Sequence, residues 1–176
     1  GYVGKFRRNT DTQWITRFEH AGEDAVTALD ETPQGDILAV GTAKDEVGTK
    51  NVSKSEGIFA TTFQSDGRHG SFSLLESAGD IYFASVAADT TGSFYISAET
   101  NGAMHGEAPA GKRDSVVAKF DPNQTFDWLK MLGTPGFEQA GTVAVGPDDY
   151  VFTVGTTEEN LDGEDNAGGY DAYVAW

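Results

Sequence analysis

Residues 116–120 read VVAKF, and three other stretches repeat that word at a constant step. YVGKF stands at 2–6, FATTF at 59–63 and YVAW at 173–176, so each copy follows the last by 57 residues. Phe6, Phe63 and Phe120 fall in register without a gap. Trp14 and Trp128 lie two periods apart, with Phe72 close to the intermediate position. A third register agrees: GDILAVGTA at 35–43, GSFYISAET at 92–100 and DYVFTVGTT at 149–157. Self-similarity at one period across three registers marks a repeat architecture.

Each repeat reads as four short strands. AVTALD (25–30), ASVAAD (84–89) and GTVAVG (141–146) supply the first, and DILAVGT with its counterparts the second. A polar loop follows, then the VVAKF-type strand. The last is the aromatic strand QWITRF (13–18), SFSLLE (71–76) or DWLKML (127–132). Apolar residues come in bursts broken by Gly, Asp, Asn and Thr, without helical stripes, as strands joined by turns require. TPQGD (32–36), SDGRHG (65–70) and DPNQT (121–125) carry tight-turn chemistry.

Four antiparallel strands in 57 residues is the arithmetic of a β-propeller blade. The expected fold is therefore all-β, a partial propeller of about three repeats in one domain spanning 1–176. The repeats run about 2–58, 59–115 and 116–172, with a fourth starting at 173–176. Small β-branched strands suit the crowded axis, and the Trp and Phe strands suit the wide rim. A β-solenoid is the alternative. In this phase the chain opens with two outer strands, holds two full blades near 23–77 and 80–133, and ends on three strands. Three repeats cannot close a ring, so the remaining blades are expected on further sequence or on another chain. The start at Gly1 reads as a processed protein or an excised fragment.

The repeat resembles the bacterial SBBP family of β-propeller repeats, written DAFVAKxDxxGxxxWxxxxG…DxAxxVAVDxxGNVYVTGxT, with a loop often written xLDGxxNAGGxDAFV. Residues 114–174 match best, through DSVVAKFD, Trp128, GTVAVG and NLDGEDNAGGYDAYV. The first copy keeps YVGKF, Trp14 and GEDAVTALD. The second diverges, with Thr62 for the usual Lys and Ser71–Phe72 for Trp, and Trp176 stands where Lys5 and Lys119 stand elsewhere. The resemblance implies a propeller and an extracellular or cell-surface location. It says little of activity, because propellers host unrelated functions.

Composition narrows the function classes. The chain carries 12 basic and 28 acidic residues, a formal charge of −16, which disfavours nucleic acid and anionic lipid as partners. It has no cysteine, which excludes disulfides, thiolate metal sites and cysteine nucleophiles. No apolar run is long enough for a membrane-spanning helix. There is no P-loop, no nucleotide-binding glycine fingerprint and no G-x-S-x-G, and His20, His69 and His105 sit in unrelated contexts.

The most charged loop, 156–173, offers Asp162, Glu164, Asp165, Asn166 and Asp171 among glycines. Hard cations want such oxygens, so Ca²⁺ is the candidate cofactor; the spacing is not that of an EF-hand, and a solvated Asn/Asp-rich turn is the first reading of the loop, ahead of the metal. Glu23–Asp24, Asp80 and Glu138 precede the first strands, where a carboxylate caps turn N–H groups or bonds the neighbouring blade, or, as the alternative, faces the axial channel as part of a ligand site. Phe6, Phe63, Phe120, Trp14, Phe72 and Trp128 recur with the repeat and read as packing residues. NVS (51–53) and NQT (123–125) match glycosylation sequons in expected loops. The leading expectation is a non-catalytic interaction or scaffold module binding a protein or a glycan. A propeller lyase or glycosidase, with some active-site groups on the missing blades, and a structural subunit of a larger assembly are the alternatives.

Overall fold

In the computed structural model, residues 1–18, 23–44, 56–146 and 150–176 are described, with the side chain of Phe83 excepted. Among them thirteen strands follow in order, with no helix: β1 Tyr2–Phe6, β2 Thr12–Arg17, β3 Glu23–Glu31, β4 Ile37–Lys44, β5 Glu56–Phe63, β6 His69–Ser77, β7 Ile81–Ala88, β8 Phe94–Thr100, β9 Asp114–Phe120, β10 Phe126–Leu132, β11 Glu138–Val145, β12 Val151–Thr157 and β13 Asp171–Ala175. They form four sheets in simple meander order: β1–β2, β3 to β6, β7 to β10, and β11 to β13. Every ladder is antiparallel. The strand grouping follows the phase expected from the sequence. His20 and the sequon at 51–53 lie outside the described residues.

The sheets lie face to face in chain order. The first strand of each meets the next sheet's first strand, β3 against β7 and β7 against β11. The middle strands are covered on both faces, so all seven residues of β8 are buried and β4 is buried from Leu38 to Ala43. Two clusters fill the junctions. Val3, Phe18, Phe59 and Phe63 join β1–β2 to β3–β6, with Trp14 and Phe72 against them. Leu38, Ile58, Ile96, Met104 and Phe120 join β3–β6 to β7–β10.

The period is visible in the backbone. Arg7, Gln64 and Asp121 each donate their N–H to a carbonyl four residues on, closing identical turns between paired strands. Thr10, Gly67 and Gln124, again 57 apart, all take positive φ there, at 72°, 86° and 62°. The junctions repeat as well. Thr16 Oγ1 donates to the Gly67 carbonyl at 2.6 Å, and Ser73 Oγ, 57 residues on, donates to the Gln124 carbonyl at 2.6 Å.

Aromatic positions separate by face. Phe63 and Phe120 point toward the preceding sheet and are 0% and 2% exposed, whereas Phe6, with no preceding sheet among the described residues, is 59% exposed. Trp14 faces the following sheet and stacks on Phe63 at 6.3 Å. Phe72 does not share that direction. It pairs with Thr61, one residue off the Lys5–Trp14 register, and lies against Phe18 and Phe59 of the preceding junction. A one-residue offset turns a strand side chain to the other face, so Phe72 is a core residue without being the second repeat's Trp.

Candidate functional site

The long loops between the second and third strands, 101–113 and 158–170, share one backbone skeleton. Met104 bridges Glu107 in the first and Leu161 bridges Glu164 in the second. His105–Gly106 and Asp162–Gly163 take the same positive φ values, 46° and 90° against 52° and 86°. The acidic D-G-E-D turn is therefore built on the frame that H-G-E-A builds without either aspartate. Backbone repetition, not carboxylate chemistry, sets its shape.

Each loop is pinned by an aspartate at the start of the next strand. Asp114 is buried and accepts the N–H groups of Ala110 at 2.6 Å and Gly111 at 3.2 Å. Its pKa is raised, mainly by burial, with Glu138 adding to the effect. A side chain on Gly133 would overlap the Asp114 carboxylate, so glycine is required there. Asp171, one period later, accepts the Ala167 N–H. Asn166 donates to the carbonyls of Thr157 and Gly169 and accepts the Gly168 N–H at 2.7 Å. Asp165 accepts the amide of Asn160 at 3.0 Å. Among the described residues no three His, Asp or Glu side chains converge to hold a metal ion. Asp162 and Glu164 stay on the rim of an open groove of about 460 Å³, which Tyr173 and Trp176 also line.

Two of the carboxylates ahead of the first strands, Glu138 and Asp80, have structural partners. Glu138 is fully buried and accepts Thr134 N–H at 2.7 Å, Thr134 O–H at 2.6 Å and Thr157 O–H at 2.8 Å. Asp80 accepts Tyr82 O–H at 3.2 Å and the Asn101 amide at 3.3 Å. Glu56, which the sequence reading passed over, accepts the Ile81 N–H at 2.8 Å across two sheets and pairs with Lys44 at 2.9 Å.

Sequence reasoning also missed Arg113. Its guanidinium lies 3.5 Å over the Tyr82 ring and 3.0 Å from buried Glu99. Burial raises the Glu99 pKa, and the Arg113 hydrogen bond and charge oppose that. Lys112 beside it sits over Phe137 at 4.7 Å. The dipeptide KR in an acidic chain was the available signal; the aromatic partners come from two different strands and could not be read off. The two histidines among the described residues pack: His69 stacks on Phe18 at 5.6 Å and His105 lies on Phe126 at 3.9 Å.

The geometry is that of sheets presenting variable loops on a constant frame. No family model matches the chain, and no curated protein matches it. No helix among the described residues is long and apolar enough to cross a membrane.

Proposed function

We propose that the chain is part of a β-propeller, with β3–β6 and β7–β10 as its blades, acting as a non-catalytic interaction or scaffold module of an extracellular or cell-surface protein. The carrying observation is the constant inter-sheet step, seen in the Thr16–Gly67 and Ser73–Gln124 bonds, which a radial stack of identical blades requires. The antiparallel ladders weigh against the solenoid alternative, whose rungs pair in parallel. The SBBP-type resemblance supplies the compartment. The ligand is a protein or a glycan, held by the end that carries loops 101–113 and 158–170, where one frame bears two different side-chain sets. The lyase or glycosidase alternative needs carboxylates free to move protons, and Glu99, Asp114 and Glu138 are turned inward onto N–H and O–H donors.

Glycan and surface-protein arrays probed with the chain, and with a variant whose residues 161–168 are replaced by 104–111, test this reading. The expected result is capture of one ligand class that the exchange abolishes without altering the β-type circular dichroism. Capture indifferent to the exchange, or turnover of a captured glycan, overturns it. Thermal melts with and without millimolar Ca²⁺, for the native chain and for Asp162→Asn with Asp165→Asn, test the cation proposal. A calcium-dependent rise confined to the native chain supports it.

A further inference from the structure

We infer that Asn123 is an N-glycan acceptor, so that an exported copy of this chain carries a sugar at the tip of the β9–β10 turn. The inference rests on the extracellular reading and adds a modification site to it. The motif, the turn that holds it and its place in the fold all point the same way.

Residues 121–125 read DPNQT, and Asn123-Gln124-Thr125 has the Asn-X-Thr form that N-glycan transferases read, with X other than proline. That motif asks for a surface turn, and the fold puts it in one. Asn123 and Thr125 are exposed, whereas Gln124 between them is buried. The Gln124 carbonyl accepts the Ser73 hydroxyl at 2.6 Å, and its side-chain amide donates to Thr62 Oγ1 at 3.4 Å. The middle residue therefore does the packing between sheets. The two residues that the transferase reads stay outside.

The turn closes through its backbone and Asp121. Asp121 N–H donates to the Thr125 carbonyl and Gln124 N–H to the Asp121 carbonyl, both at 2.9 Å. The Asp121 carboxylate accepts the N–H groups of Asn123 at 2.9 Å and Thr125 at 2.7 Å. Its pKa is lowered, chiefly by the Thr125 N–H, with smaller contributions from the Asn123 N–H and from both side chains. A sugar replaces one of the two hydrogens on Asn123 Nδ2, so the amide keeps an N–H for that contact. The counterparts of Asn123 one and two periods earlier are Asp66 and Asn9, both exposed, in Asp66-Gly67-Arg68 and Asn9-Thr10-Asp11. The frame accepts either residue type there, and only the third turn adds the hydroxyl that completes the motif.

β9 runs from loop 101–113 to this turn over 7 residues, a span of about 20 Å. A sugar on Asn123 therefore stands at the end of the sheet opposite the loops assigned to ligand binding, and leaves them bare. The chemistry is a substitution. Asn123 Nδ2 bonds to the anomeric carbon of a polyprenyl-diphosphate-linked oligosaccharide. The bond from that carbon to the phosphate oxygen breaks, and the diphosphate leaves with the electron pair. The amide gives up one proton to the transferase, and nothing is oxidised or reduced.

Cell-free synthesis with animal-cell microsomes, the chain preceded by a cleavable secretion signal, tests this. Asn51→Gln removes the second sequon, so any N-linked sugar reports on Asn123. The translocated, protease-protected chain is expected to gain the mass of one oligosaccharide, which an endoglycosidase removes. Asn123→Gln and Thr125→Ala are expected to abolish the gain, and Thr125→Ser to keep it. A protected chain without sugar, or a gain indifferent to Asn123→Gln, overturns the inference. The signal is supplied, so the result is independent of the ligand arrays. Sugar at Asn123 with no capture on the arrays leaves the acceptor standing and the ligand reading fallen; capture with no sugar does the reverse.

Discussion

Residue sizes are matched across the second and third strands of each sheet. Phe59 stands over Gly41 and Tyr173 over Gly155, while the counterpart in the middle sheet is Val116 beside Ala98. A large ring needs a missing Cβ beneath it, and a smaller side chain does not. Gly155→Ala forces the new methyl into the Gln139 carbonyl and the Tyr173 hydroxyl. We expect it to lower stability by about 2 kcal/mol or more, read from urea unfolding. Asp114→Ala leaves the N–H groups of Ala110 and Gly111 without their acceptor in a buried setting. The expected cost is about 2 kcal/mol, with the loss of amide-exchange protection confined to 110–111. The glycines and aspartates were visible in the sequence as turn residues. Their partners were not, because the size match joins residues of adjacent strands separated by a long loop.

Between elements, hydroxyl bridges stitch one sheet to the next. Thr27 donates to the Ala84 carbonyl at 2.7 Å, and Ser85 and Thr142 share a bond of 3.0 Å, each pair 57 residues apart. Such a bond contributes about 1 kcal/mol, and a double-mutant cycle on Ser85→Ala and Thr142→Ala is expected to return a coupling near that value. The junction also titrates. Glu99 and Asp114 both have pKa values raised chiefly by burial, so the folded chain holds their protons to higher pH than the unfolded chain does. Their contribution to stability is then greatest on the acid side and is lost as pH rises through the raised values. Melting temperature is expected to fall as pH rises above the ordinary carboxylate range and through the raised values, and Glu99→Gln to flatten that slope. Strand order and strand limits followed from the repeat. The Arg113–Tyr82–Glu99 cluster did not, because its members come from three places in the sequence with no shared period.

At the scale of the molecule, a charge of −16 works against compaction. Ion pairs such as Lys44–Glu56 and Lys119–Asp127 are partly exposed and offset little of it. Screening should therefore help more than it harms. Raising salt from about 0.01 M to about 0.5 M shortens the Debye length from about 30 Å to roughly 4 Å, and the melting temperature is expected to rise. A fall would mean that the pairs outweigh the net repulsion. Residues 1–18 carry four basic side chains and one acid, whereas residues 150–176 carry six acids, five of them in the 158–170 loop, and no Lys or Arg.

The amino-acid order by itself determined the period, the strand alternation, the turn positions and the grouping of strands into meanders. These are local properties, set by side-chain spacing and by residues that favour positive φ. Only the tertiary structure decided which face each aromatic takes and where each carboxylate spends its oxygens. It also decided which apolar surfaces stay bare. Phe72 shows the difference most simply: it sits one residue from the expected Trp position, and in a strand one residue is the whole distance from one face to the other. Phe6 shows the other half. Its type was legible as a packing residue, but burial depends on a neighbouring sheet, and that is a property of the tertiary structure.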